Sequence, residues 1–425
     1  MRKIKTRILL GALTASSVLT ASVANATGFD LRTQSASGLG KGFAGVAAGG
    51  DISTSFWNPA NISEAEGSDF QAVLNIIDGD ASIESTGSSS VIFQNLEDTD
   101  NISGTNVTPS LYYANQVNNK WSWGLSFTAP FATITDAGEG SRSQFVSREA
   151  NLVGLALSPT FSYKPTNNLS LGAGLIVQNF DVEISRAIPV GAAQGVFSAN
   201  DPLLNIEGDD TGVGFTLGLT YKIGSTDIGL GYRSSISHNI EGNFNVDAFG
   251  VDAGINVDLD TPEIITFGIQ QALTKKLTLN IGIEYTEWST LGTLPVLLNA
   301  TGSVATLAGQ PIVVALEYDD TFYYSVGAEY QYSKSLLLRT GIGYDETSVS
   351  DTTRTTQFPD NDRWTISFGL TKQFKTFTID ASYQYLFLDE EATISVTPGN
   401  PSFTGLPFTG VSDLEAHLLS IGVKF

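Results

Sequence analysis

What most constrains this chain is a strict alternation of apolar with small or polar residues, held over nine or more positions and renewed to the C-terminus. In Val213-Gly-Phe-Thr-Leu-Gly-Leu-Thr-Tyr221 one face carries Val213, Phe215, Leu217, Leu219 and Tyr221; the other carries Gly214, Thr216, Gly218 and Thr220. Trp121, Trp123, Leu125 and Phe127 repeat the pattern, as do Leu279, Ile281, Ile283 and Tyr285, then Trp364, Ile366, Phe368 and Leu370. A period of two is a strand with one greasy face. Strands of soluble sheets average about five or six residues, and these are longer. Their apolar faces are uniform and tipped with Tyr or Trp, which fits a lipid-facing band with aromatic girdles around a hydrated interior. Lipid offers no partner to an open sheet edge, so such a sheet must close on itself.

Fourteen such segments are expected, near 69–84, 106–117, 120–129, 147–163, 169–186, 212–222, 228–238, 262–272, 277–288, 322–332, 336–346, 362–372, 377–388 and 413–425. An even count suits a bacterial barrel, and so do the connections. Short ones, such as Asn118-Asn119 and Ser333-Lys-Ser335, alternate with long ones near 85–105, 130–146, 187–211, 239–261, 289–321, 347–361 and 389–412. The fold class is all-β: a 14-stranded antiparallel transmembrane β-barrel over 69–425, with an N-terminal lumenal plug over 27–68. The last strand ends on the aromatic Phe425, a terminus that resembles the signal read by the barrel assembly machinery.

The N-terminus supplies an address. Arg2, Lys3, Lys5 and Arg7 precede an apolar stretch from Ile8 to about Val23, and Ala24-Asn25-Ala26 is a small-x-small cleavage site. Residues 1–26 therefore read as a signal peptide and the outer membrane as the destination. Composition removes whole classes. No cysteine means no disulfide scaffold, cysteine nucleophile or zinc–thiolate site, and two histidines leave no His-based metal cage. Lys+Arg 22 against Asp+Glu 44 offers no basic stripe for nucleic acid. No cofactor and no metal are expected, and a monomer is. Glycine is abundant at 43 residues, and many of these fall on the inward phase of strands, where they leave lumen volume.

Residues 27–68 do not alternate. They read Thr27-Gly-Phe-Asp-Leu31, Ser37-Gly-Leu-Gly-Lys-Gly-Phe-Ala-Gly45 and Phe56-Trp-Asn-Pro-Ala60, a glycine-rich, partly apolar stretch whose natural place is the barrel lumen. Here the chain resembles the outer-membrane long-chain fatty acid transporter family (FadL-type), which includes toluene and xylene channels. The resemblance is carried by Gly28-Phe29, Ser37-Gly38-Leu39-Gly40 and Asn58-Pro59-Ala60. It continues through Tyr232-Arg233-Ser234, Gly242-Asn243, Pro262-Glu263, Tyr285-Thr286, Trp288-Ser289, Arg339-Thr340-Gly341 and Asp360-Asn361-Asp362-Arg363-Trp364, in the family's order.

The resemblance implies passive uptake of hydrophobic small molecules: capture among extracellular loops, passage to a lumenal pocket, and lateral release at a kink in the third strand. Long-chain fatty acids are the default cargo and monoaromatic hydrocarbons the alternative. It implies a plug carrying Gly38, Gly40, Asn58, Pro59 and Ala60. It makes Phe29 the residue that fills the pocket, and Arg186 a group facing a ligand carboxylate, though Arg186 could equally pair with Glu183 or a loop acid. Ala129-Pro130 suits the kink, because proline has no ladder donor; it could equally end the strand. The loops 187–205 and 291–316 carry Ile188, Val190, Phe197, Leu294 and Leu297, apolar for outside connections, which suits either a greasy ligand or a cap over the barrel mouth.

Other motifs carry less. Gly40-Lys-Gly42-Phe-Ala-Gly45 fits a dinucleotide pattern without the strand that should precede it, and reads as a turn. Asp98-Thr-Asp100-Asn101 and Glu207-Gly-Asp209-Asp210 read as acidic loops bridging cations to lipopolysaccharide. Arg233, Glu284, Glu329, Arg339, Arg363 and Asp380 fall on inward phases, as a ligand path or as ion pairs bracing plug and wall. A lipid hydrolase, the rival from another class, needs a Ser beside a His base. His238 and His417 both read as lipid-facing, so no catalytic residue is expected. A water-filled diffusion porin is disfavoured by the greasy loops and the plug sequence.

Overall fold

The computed structural model describes residues 28–65, 67–307 and 309–425; the signal-peptide expectation for 1–26 lies outside them. The barrel strands are β1 (Ser68–Ala81), β2 (Gly104–Asn118), β3 (Trp121–Asp136), β4 (Glu149–Thr166), β5 (Leu169–Ala187) and β6 (Leu203–Ile223). Then come β7 (Thr226–Arg233 continued by Ile236–Val246), β8 (Val251–Thr261 continued by Ile264–Ala272) and β9 (Leu277–Thr286). The round is completed by β10 (Thr321–Ser333), β11 (Leu336–Asp345), β12 (Arg363–Gln373), β13 (Thr378–Leu388) and β14 (Leu414–Lys424). Each pairs antiparallel with its neighbours, and β14 returns to β1 from Gln71↔Lys424 to Ala81↔Leu414. Val213, Leu217, Val326 and Ile421 point outward and are exposed, while Thr216, Ser325 and Ser420 point inward and are buried. The wall is closed and its outer face apolar, as lipid requires.

Two expectations about the outer end are corrected. Residues 239–261 are not a long loop but the arms of β7 and β8, joined by one turn at Asp247–Phe249. Glu207-Gly-Asp209-Asp210 lies on β6, not in a loop. Above the bilayer the alternation inverts: Glu207 and Asp209 face water, while Leu204 and Ile206 face inward and are buried. A search for apolar-outward strands stops where that inversion begins.

A second effect reverses the phase within strands. The β3–β4 register skips between Thr128 and Phe131, leaving Ala129 and Pro130 unmatched. β7 is interrupted at Ser234-Ser235 and β8 at Pro262-Glu263, side by side. Beyond each interruption the opposite parity points inward. His238, expected on the lipid face, is therefore lumenal and 2% exposed, whereas His417 stays exposed.

Residues 28–65 lie inside the ring. A short helix, Ala36–Leu39, is capped by Ser35 Oγ, which accepts from the Gly38 amide at 3.0 Å. Three 3-10 turns follow, the last opened by Asn58, whose side chain accepts from the Ala60 amide behind Pro59. Asn58 Nδ2 also donates to Ala47 O at 2.6 Å and to Leu219 O of β6 at 3.0 Å, tying segment to wall. Close approach explains many inward glycines. A Cβ at Gly229 would overlap the Ala47 carbonyl, one at Gly231 the Trp57 carbonyl, and one at Gly40 would sit 2.6 Å from Ser382 Oγ.

Buried ions brace the same contact. Arg32 pairs with Glu284 of β9 and Asp345 of β11, each at 2.7 Å, beneath the Tyr323 ring. Lys41 lies 3.8 Å from Glu329, which also holds Arg339 at 2.8 Å, and Arg339 reaches Asp380 at 3.1 Å. Removing one member of such a buried pair strands its partner and costs about 3–5 kcal/mol. Of the six inward charges singled out in the sequence, Glu284, Glu329, Arg339, Arg363 and Asp380 are ion-paired. Arg233 instead stands over the Phe56 ring at 4.8 Å.

Candidate functional site

The ladder between β2 and β3 begins at Asn118↔Trp121 and ends at Leu111↔Phe127. Both strands run on past it: β2 to Gly104, paired only with β1, and β3 to Asp136, paired only with β4. The wall therefore has a seam, which starts beside the unmatched Ala129 and Pro130. Proline supplies no N–H, and the kink lies in mid-strand rather than at the strand's end.

The N-terminal segment covers this seam from inside. Leu31 N–H donates to Pro130 O at 2.8 Å, and Ala132 N–H donates to Phe29 O at 2.9 Å. Gln34 spans the two strands: its Nε2 donates to Ala129 O at 2.6 Å, and its Oε1 accepts from Ser110 Oγ of β2 at 2.9 Å. Tyr112 OH fixes the Gln34 carbonyl at 2.8 Å. The backbone groups released by the kink are met by the segment instead of by β2, as buried polar groups require.

Just above, Phe29 is fully buried in an aromatic cage. Its ring lies 4.9 Å from Trp288, 5.7 Å from Phe131 and 5.9 Å from Phe180. Gly28 adopts φ 63° and packs so close to Trp288 that a Cβ would sit 2.8 Å from its ring; glycine alone meets both demands. Outward of the cage is an apolar cavity of about 520 Å³, counting the solvent at its mouth. Val182, Ile206, Ile240 and Val257 of the wall line it, with Leu294, Leu316 and Phe358 from the loops above. The apolar lining is that of a small-molecule site.

The sequence-derived residues divide here. Leu294 lines the cavity, and Ile188 packs on the same apolar cluster. Arg186 is on the inward phase of β5 at its outer end, opposite Leu204, and half-buried. Leu297 pairs with Asn256 of β8 at the edge of the cluster. Val190 is exposed, and Phe197 turns away to stack with Phe93 at 5.0 Å and Phe145 at 5.5 Å. Loop 188–202 folds back over its neighbours, held by Gln144 Nε2 donating to Ser198 O at 3.1 Å. Sequence reading missed Gln34, Phe131, Phe180 and Phe358; alternation marks none of them.

At the mouth, Asp360 is buried 3.4 Å from Arg363 and accepts from Thr347 Oγ1 at 3.2 Å. Burial pushes its carboxyl up to about 6, against the pull of Arg363.

A lipid-facing cylinder filled by its own N-terminus, with an apolar chamber above a seam in the wall, belongs to the class of filled outer-membrane transport barrels. Residues 17–425 match the sequence profile of the outer membrane protein transport protein family (OMPP1/FadL/TodX), and the chain belongs to that family of outer-membrane transporters of hydrophobic compounds. It is 26% identical to a long-chain fatty acid transport protein of Escherichia coli O6:H1, over 90% of this chain and 92% of that one. It is 27% identical to outer membrane protein P1 of Haemophilus influenzae, over 91% and 90%. The crystal structure of a Pseudomonas aeruginosa FadL homologue superposes with a TM-score of 0.83 at 21% identity, covering 94% of this chain and 99% of that one. That of the Pseudomonas putida toluene transporter TodX gives 0.65 at 18%, covering 91% and 97%.

Proposed function

We propose that the chain takes up long-chain fatty acids passively, with residues 27–68 acting as the plug. The acyl chain enters the apolar cavity from the outer loops, displaces Phe29, and leaves sideways into the membrane between β2 and β3. The single observation behind this reading is the seam: the β2–β3 ladder stops at Leu111↔Phe127 where the kink begins, and the N-terminal segment takes up the backbone groups of Pro130 and Ala132 there. A ligand that moves Phe29 disturbs the same residues that hold the seam shut. Arg186, on the lumenal face at the rim and outside every ion pair among the described residues, suits the first contact with a carboxylate. The name carried by the E. coli relative points to the same cargo.

A second reading, uptake of monoaromatic hydrocarbons, is favoured by the cage itself, since Phe131, Phe180 and Trp288 already hold a lone aromatic ring. Uptake of labelled oleate and labelled toluene by cells with and without the protein separates the two. Oleate entry that depends on the protein supports the first reading; toluene entry alone supports the second. Entry of neither removes both.

A further inference from the structure

Beneath the cage the lumen wall changes character. Gln178 of β5 is fully buried, and neither atom of its amide has a hydrogen-bond partner among the described residues. His238 of β7 is 2% exposed; its Nδ1 lies 3.2 Å from Asp210 Oδ2, and its Nε2 is likewise unpartnered. Both side chains border Phe180, the wall of the Phe29 cage. The His238 ring lies 5.5 Å from that of Phe180. Gln178 Nε2 and the Phe180 ring meet over Gly154, where a Cβ would stand 2.9 and 3.1 Å from them. Gly212, opposite Gln178 in the β5–β6 register, does the same for His238, whose Cε1 would be 2.9 Å from a Cβ there. Two glycines thus admit two polar side chains to one place. Buried polar groups in folded proteins are usually paired, so these two side chains have hydrogen-bonding capacity left for a ligand.

Its position relative to the cavity is defined by the strands. Ile240, the next inward residue after His238, already lines the apolar chamber, as does Val182, two inward positions above Gln178. The polar pair lies one level below the greasy chamber, behind Phe180. Arg186 stands eight residues further out on β5, about 27 Å at the usual rise, and belongs to another level.

We propose that Gln178 and His238 receive the carboxyl group of the ligand, one contact to each oxygen; this rests on the fatty-acid reading above. With Nδ1–H donated to Asp210, the neutral ring presents a lone pair at Nε2, and the Gln178 amide presents an N–H. An un-ionised acid matches both: its carbonyl oxygen accepts from Gln178 Nε2, and its hydroxyl donates to His238 Nε2. If that proton moves onto the ring, an imidazolium lies between Asp210 and the new carboxylate, and the same two contacts persist. A hydrocarbon makes neither contact and leaves the pair unpaired, which is how a buried polar site rejects an analogue lacking the group.

The test measures binding of radiolabelled oleate, methyl oleate and toluene to the full mature barrel in lipid nanodiscs. Wild type, Gln178→Leu and His238→Leu are compared, with heat-modifiable gel migration as the check of folding. The expected result is that wild type binds oleate at least ~10-fold tighter than methyl oleate, the loss of a hydrogen bond involving a charged group. Each variant should lose oleate affinity by a similar factor, while toluene stays within about twofold in both and methyl oleate, which keeps its carbonyl but has no hydroxyl, stays within about twofold in His238→Leu. Equal wild-type affinity for acid and ester, a comparison that needs no variant, overturns the proposal. Oleate affinity unchanged in folded variants also overturns it, as does an equal fall for all ligands. If wild type binds toluene and no oleate, the fatty-acid reading itself fails and takes this proposal with it.

Discussion

The amide of Leu31 donates to the carbonyl of Pro130 across 2.8 Å, so a residue four positions into the described chain closes a stretch of wall that the barrel's own strands leave open. Phe29 and Gln34 extend the contact on either side. The aromatic cage, the lumenal segment and the seam share one short peptide.

Gln34 is the residue most directly tied to the seam. Replacing it with alanine removes its contacts to Ala129 and Ser110 without touching the wall. Gln34→Ala should raise the hydrogen-exchange rate at the Leu31 amide and speed oleate entry several-fold. Pro130→Ala, which restores a backbone donor at the kink, should act the other way and slow entry. Identical uptake rates in all three proteins would remove the seam from the transport path.

Phe29→Ala deletes a ring held by three others. The loss of packing is about 3–5 kcal/mol for a phenylalanine truncated in a core, taken from the docking of the segment. Bound oleate should dissociate faster, read by stopped-flow displacement. A dissociation rate equal to wild type would mean that the ring does not retain the ligand.

Gly231→Val tests whether residues 28–65 fill the barrel tightly, because a Cβ there overlaps the Trp57 carbonyl. The segment should be driven off the wall, and planar bilayers should record a steady conductance absent in wild type. A folded variant that stays closed would show that the segment yields without leaving.

The mouth should respond to pH. The carboxyl of Asp360, pushed up to about 6 by burial, compares with about 3.9 in an open chain. The protonated form is the one favoured in the packed loop. The stabilisation is complete below about pH 4 and is lost as pH rises through about 6. Limited proteolysis of loop 347–361 should be slower at pH 5 than at pH 7.5, and Asp360→Asn should abolish the difference. A variant that keeps the difference would assign it to another group.

Much of the wall was legible before any coordinates. The alternation in 213–221 and 364–370 reports the pleat directly, because lipid outside and glycine or threonine inside select residues one position apart. The outer halves of β6 to β8 were not legible, because once the strands leave lipid their outward face turns charged and the signature inverts. His238 was misplaced for a related reason: the interruption at Ser234-Ser235 exchanges the two faces, and nothing in the local pattern announces it. Phe197, which suited either a ligand or a cap over the mouth, packs with Phe93 and Phe145, a choice made by how three loops fold over one another.

By itself, then, the sequence determined a fourteen-stranded closed barrel with an apolar skin, an exported address and a filled lumen. The barrel and its skin follow from periodicity, which acts on neighbouring residues through one strand's geometry; the address and the lumenal place of 27–68 were read from local motifs. The seam, the Phe29 cage and the polar pair below it were decided only by tertiary structure. Gln34 meets Ala129 across 95 positions, and Phe29 meets Trp288 from the far side of the barrel. No local preference encodes such meetings; they exist because closing the ring brings those strands to one place.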